Sequence, residues 1–132
     1  MKNFLFLILF LLPLFSFGQN VQSLDTVKAP ANSTTNYIKP LYSDSNSSSF
    51  VIIIPKEVKK HLHQFHSEQV YVISGEADML LGDKTIHIKA GDIIYIPKNT
   101  PHAVTVTSKE PLKILSVQAP YFDGKDRVMI NN

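Results

Sequence analysis

Three of the chain's five histidines fall in one short run, His61-Leu62-His63-Gln64-Phe65-His66-Ser67-Glu68. On a β-strand, residues i and i+2 share a face, so His61 and His63 would stand side by side, roughly 7 Å apart. That separation lets two imidazoles lean toward one metal ion. After a short turn, Glu68 opens the next strand and can offer a carboxylate to the same point. Much later His102 follows Lys98-Asn99-Thr100-Pro101 and opens a strand whose alternate residues are Val104 and Val106. A histidine in that alternation points to the buried side. With no cysteine in the chain, disulfides, thiolate metal sites, iron–sulfur clusters and thiol catalysis are all excluded. Three imidazoles and one carboxylate make a borderline donor set suited to Fe, Mn, Ni, Cu or Zn as the divalent ion.

Such a site needs strands to hold it. With 132 residues there is room for one domain, and the pattern divides into three parts. Residues 1–18 carry one lysine and then an almost wholly apolar run, shorter than the roughly 20 residues that span a bilayer. Small residues Ser16 and Gly18 precede Gln19. The spacing predicts a signal peptide cut before Gln19, hence an exported protein, periplasmic or secreted, without stable membrane insertion once the leader is removed. Residues 19–49, rich in Ser, Asn and Thr, read as a flexible linker lacking a buried face, with 37–39 and 41–42 able to add an edge strand. Residues 50–132 form the folded domain. Beside the run that carries His61 and His63, strand-like runs fall at 50–54, 69–74, 76–81, 84–89, 92–96, 103–107, 112–118 and 127–130, and Gly82-Asp83 suits a tight hairpin. No helical stripe follows residue 18. The expectation is an all-β sandwich or barrel.

The ordered pattern resembles the cupins. His61, His63, Glu68 and Gly75 match the spacing of the first cupin motif, and Gly91, Pro97 and His102 match the second. Pro55, Asn99 and Val106 stand where the family pattern has Gly, Gly and Asn. These departures bear on turn geometry and pocket polarity and leave the four ligand positions intact; Asn99 is a mild change, since Asn tolerates positive φ. The resemblance covers about residues 50–118. It implies a double-stranded β-helix, a small jelly-roll barrel, with His61, His63, Glu68 and His102 binding one divalent metal inside.

The remaining candidates have plainer readings. His87 alternates with Ile86 and Ile88 and should face solvent. His66 sits in a turn and reads as a loop histidine without a metal role. Lys56, Lys59 and Lys60 read as a solvated edge, and Phe65, Tyr71 and Tyr95 as barrel packing. Glu57, Asp92 and Tyr121 are acid–base candidates by chemistry alone, because no spacing places them at the metal. The charge balance, 13 basic against 11 acidic residues, argues against nucleic acid as a partner, and no helix-turn-helix precedes the barrel. A small-molecule ligand is expected. Two functional classes stay open: a metal-dependent enzyme, such as a dioxygenase or isomerase, and a non-catalytic module for a small molecule or carbohydrate. By family analogy, sheet pairing would give a homodimer.

Overall fold

The computed structural model describes residues 21–130; the expected signal peptide lies outside them. Ten strands alternate through the described chain: β1 (Tyr37–Ser43), β2 (Ser48–Ile54), β3 (Glu57–Leu62), β4 (Ser67–Ser74), β5 (Glu76–Leu81), β6 (Lys84–Lys89), β7 (Ile93–Ile96), β8 (His102–Val106), β9 (Leu112–Ala119) and β10 (Val128–Met129). They form two five-stranded antiparallel sheets, ordered β1-β2-β9-β4-β7 and β10-β3-β8-β5-β6. This is the all-β, double-stranded β-helix architecture. No helix among the described residues is long and apolar enough to cross a membrane.

Alternation explains the interior. In β4, Val70 and Val72 point inward; in β7, Ile94 and Ile96 do; in β9, Leu112 and Ile114. With Ile54, Ala77, Met79, Ile88 and Val104 they make one core between the sheets. The same alternation corrects an expectation. Tyr71 and Tyr95, read as barrel packing, occupy outward positions and are exposed, and Phe65 lies exposed in the β3–β4 turn.

Turn chemistry falls where the residue types direct it. Gly82-Asp83 joins β5 to β6, with Leu81 opposite Lys84 and Gly82 at φ 65°. Gly75, between β4 and β5, has φ 84°, and an added Cβ would lie 2.8 Å from the Pro111 carbonyl oxygen. Asn99 adopts φ 60°, the left-handed conformation that makes Asn an acceptable substitute for Gly. Val106 packs against the core, and Pro55 ends β2.

Within the stretch read as a linker, 19–49, the described residues 21–49 depart most from that reading. β1 pairs with β2 from Tyr37 opposite Ile53 to Pro40 opposite Phe50, and after a shift of register again at Ser43 opposite Ser48, so the edge strand forms. Ahead of it, a 3₁₀ turn (Leu24–Thr26) lays Val27 on the outer faces of Val51 and Ile53, with Leu24, Ala29, Tyr37 and Leu41 around them. The cause lies in β2. Ser48–Ile54 has few polar positions and presents apolar side chains on both faces; its outer face needs a cover that the preceding chain supplies.

Candidate metal centre

β3 and β8 are neighbours, and His61 stands opposite His102 in their register. β3 ends at Leu62, so His63 lies one residue beyond the strand, and its ring still returns to the same side. The three imidazoles cluster with ring centroids 4.2 Å (His61–His102), 5.1 Å (His61–His63) and 5.3 Å (His63–His102) apart. Glu68 comes from the facing sheet, as the second residue of β4. All four side chains are buried: His61, His63, Glu68 and His102 are 5, 3, 6 and 4 % exposed.

Each ring is oriented through its Nδ1. His61 Nδ1 donates to the Lys59 carbonyl at 2.8 Å, His102 Nδ1 to the Thr100 carbonyl at 3.0 Å, and His63 Nδ1 to the Asp126 carbonyl. With Nδ1 carrying the proton, each Nε2 presents a lone pair. One ligand atom from each histidine lies within 4.8 Å of the others, a group that could hold a metal ion. Glu68 accepts a hydrogen bond from Ser116 Oγ on Oε1. Its Oε2 reaches 3.5 Å from His63 Nε2 and 3.6 Å from His102 Nε2. Those separations are too long to count as hydrogen bonds of ordinary strength. His63 Nε2 is consequently a buried nitrogen without a hydrogen-bond partner. Three converging lone pairs, a free carboxylate oxygen and an orphaned nitrogen are the arrangement that a divalent cation would satisfy.

Electrostatics agree with that geometry. Burial, with the neighbouring His102, pushes the pKa of His61 down to about 4, and burial likewise lowers that of His102. Burial acts in the same direction on His63, but the Glu68 carboxylate and the Asp126 carbonyl outweigh it and raise its pKa. For Glu68, burial works upward, yet His63 and Ser116 hold it below the usual carboxylate range. Burial thus favours the neutral form of His61 and His102, while the neighbouring carboxylate acts the other way on His63.

A cavity of about 150 Å³ opens from this cluster. Phe50, Ile52, Val58 and Val104 form apolar walls, and Gln118, Asn36 and Arg127 add polarity. Phe122 stands edge-on to the rings of His63 and His66, at 5.4 and 5.0 Å. His66 is buried, which its reading as a loop histidine did not anticipate. Its Nδ1 donates to Asp126 Oδ2 and its Nε2 to the Tyr121 carbonyl at 2.9 Å. Asp126 also accepts the backbone N–H groups of Gln64, Phe65 and His66. It ties the C-terminal segment to the turn that carries His63.

Other candidates fall away from the site. Glu57 is exposed, Asp92 accepts the Lys89 N–H in a turn, and Tyr121 is exposed and contributes its carbonyl. None lines the cavity, nor do Lys56, Lys59 or Lys60. His87 is solvated as expected, beside Asp78 and Glu76. Sequence reasoning missed Asp126, Ser116, Gln118 and Arg127. A signal for two of them was present: in β9 the inward series runs Leu112, Ile114, Ser116, Gln118, placing polar residues on a core-facing register.

Fold and site together define a small β-barrel with a histidine cluster in its interior. Residues 49–118 match the family model for the cupin domain, and the chain belongs to that family. An uncharacterized protein of Methanocaldococcus jannaschii is 34% identical over 88 residues, covering 65% of this chain and 70% of that one. Quercetin 2,3-dioxygenase of Bacillus subtilis is 26% identical over 72 residues, 50% of this chain and 21% of the enzyme. Among solved structures, an uncharacterized double-stranded β-helix protein of Klebsiella pneumoniae superposes with a TM-score of 0.73 at 26% identity, covering 86% of this chain and 99% of the other.

Proposed function

We propose that this cupin is exported and binds one divalent transition metal through His61, His63, His102 and Glu68, presenting it to a small oxygenated ligand in the adjoining cavity. The carrying observation is the set of three Nδ1-anchored imidazoles whose Nε2 atoms converge, with that of His63 buried and unpartnered. Bound there, the metal would supply Lewis-acid polarisation or, for a redox-active ion, dioxygen chemistry. The chain's own residues orient the donors, exclude water with Phe122 and the apolar walls, and hold one carboxylate charge at Glu68. Export rests on the leader pattern of residues 1–18.

A non-catalytic binding module is the second reading, and one observation favours it. Apart from Glu68, itself a proposed ligand, the cavity lining contains no carboxylate, lysine or tyrosine to act as a free acid or base. Metal titration and turnover assays separate the two readings.

Elemental analysis of purified protein tests the metal. His61→Ala, His63→Ala and His102→Ala should each lower occupancy sharply, Glu68→Gln should weaken binding, and His87→Ala should leave it unchanged. A nitrogen-rich set should take Cu(II) or Zn(II) before Mn(II) or Fe(II) from an equimolar mixture. If His87→Ala proved as damaging as His63→Ala, the proposed ligand set would be wrong.

A further inference from the structure

Gln118 is 6 % exposed, and its Oε1 is buried with no hydrogen-bond partner. It stands opposite Glu68 in the β4–β9 register and lines the cavity beside the histidine cluster. An unmet acceptor in an interior leaves the loss of its hydration uncompensated. Apart from Asn36, Arg127 and the proposed metal ligands, the rest of the cavity lining is Ile, Val, Leu, Met and Phe, none of which supplies a donor, and no group of the described residues donates to this oxygen. A second observation lies at the same cavity. Arg127, an exposed residue, is the one lysine or arginine in its lining, and among the described residues no carboxylate pairs it. Its charge is close enough to bear on both His61 and His102. An unpaired guanidinium facing a ligand space suits a carboxylate, which it can hold by two parallel hydrogen bonds.

We propose that the cavity selects a small hydroxy acid, whose hydroxyl donates to Gln118 Oε1 and whose carboxylate is held at Arg127. The size agrees. About 150 Å³ is roughly five water volumes, enough for a short-chain acid. The apolar walls accept the carbon skeleton. This inference deepens the reading of the metal site as one that meets a small oxygenated ligand, and it adds the two groups that would read the ligand's ends. Neither Gln118 nor Arg127 belongs to the proposed metal-ligand set.

Three probes separate the contributions: lactate, propionate, which lacks the hydroxyl, and propane-1,2-diol, which lacks the carboxylate. Calorimetric titration of the purified protein with each, alongside elemental analysis of the same sample, reads both ends at once. Lactate should bind about tenfold more tightly than either analogue, because a site built around a hydroxyl rejects the molecule that leaves its partner unmet. In Gln118→Leu lactate and propionate should become equal. In Arg127→Gln lactate should fall to the level of the diol. Equal affinity for lactate and propionate in the unaltered protein would overturn the proposal without any variant having to fold. So would a preference that survives Gln118→Leu, or no binding of any probe. A sample without metal would overturn the metal reading alone, since the same three titrations on that sample still report on Gln118 and Arg127.

Discussion

Asp126 joins more of the site than any other single side chain. Its carboxylate accepts three consecutive backbone N–H groups and the His66 ring, while its carbonyl anchors His63. Burial works to raise its pKa, but His66 and the N–H groups of Phe65 and Gln64 outweigh it and hold it down at about 2. A carboxylate depressed in the folded state stabilises that state above its unfolded pKa, near 3.9, and the contribution disappears as pH falls through the folded value. Asp126→Asn should therefore cost about 2 kcal/mol at neutral pH. The difference from the unaltered protein should shrink between about pH 4 and pH 2. Urea unfolding at a series of pH values checks this, and a difference that stays constant with pH would remove the charge from the explanation. At Gly75 the limit is steric: Gly75→Ala would set a Cβ 2.8 Å from the Pro111 carbonyl oxygen and hold alanine at φ 84°.

Among the elements, β2 and its cover are the least obvious pairing. Val51 is fully buried and Ile53 nearly so, both on the side away from the histidines. Deleting residues 21–29 would expose both. Burial of an aliphatic side chain contributes about 1.5–3 kcal/mol, so the deletion should cost on the order of 3 kcal/mol, or about 10 °C in melting temperature. Metal content should stay the same, because this cluster lies outside the barrel. An unchanged melting temperature would mean that the cover contributes nothing to stability. The β3–β8 pair, by contrast, builds the candidate site directly: setting His61 opposite His102 brings together two imidazoles from residues 41 positions apart.

For the molecule as a whole, the proposed metal binding would be linked to folding. An ion that binds only the folded chain, at a hundredfold excess over its Kd, should stabilise it by about 2.7 kcal/mol, near 10 °C in a domain of this size. Differential scanning calorimetry with and without Zn(II) should show that shift in the unaltered protein and not in His63→Ala. Proton release gives a second check. His61 is held neutral down to about pH 4 and the pKa of His102 is also lowered, whereas that of His63 is raised. Protons displaced by metal uptake near neutrality should accordingly come chiefly from His63. Affinity then falls as pH drops, first through His63 and further once His102 and His61 protonate. Release of three protons near neutrality would contradict these environments.

Much of this was legible in residue types and spacing. Alternation marked the strands, Gly82-Asp83 the hairpin, and His61, His63, Glu68 and His102 the cluster, because each of those signals is local or repeats a spacing that a barrel imposes. The His102 prediction worked through alternation with Val104 and Val106, which fixes the inward face of a strand whatever its partner. Residues whose role depends on a distant segment carried no such mark. Asp126 is an ordinary acidic residue in a polar tail until the chain brings it to the turn 60 positions earlier. The orphaned Gln118 and the unpaired Arg127 are defined by what does not surround them. Val27 is one valine in a Ser- and Asn-rich stretch, and only the two-sided apolar face of β2 gives it a place to bury. Tyr71 and Tyr95 show the converse: their aromatic character suggested the core, but β4 and β7 had already filled their inward positions with Val70, Val72, Ile94 and Ile96. Periodicity along the chain sets which face a residue takes, and long-range packing sets what waits on that face.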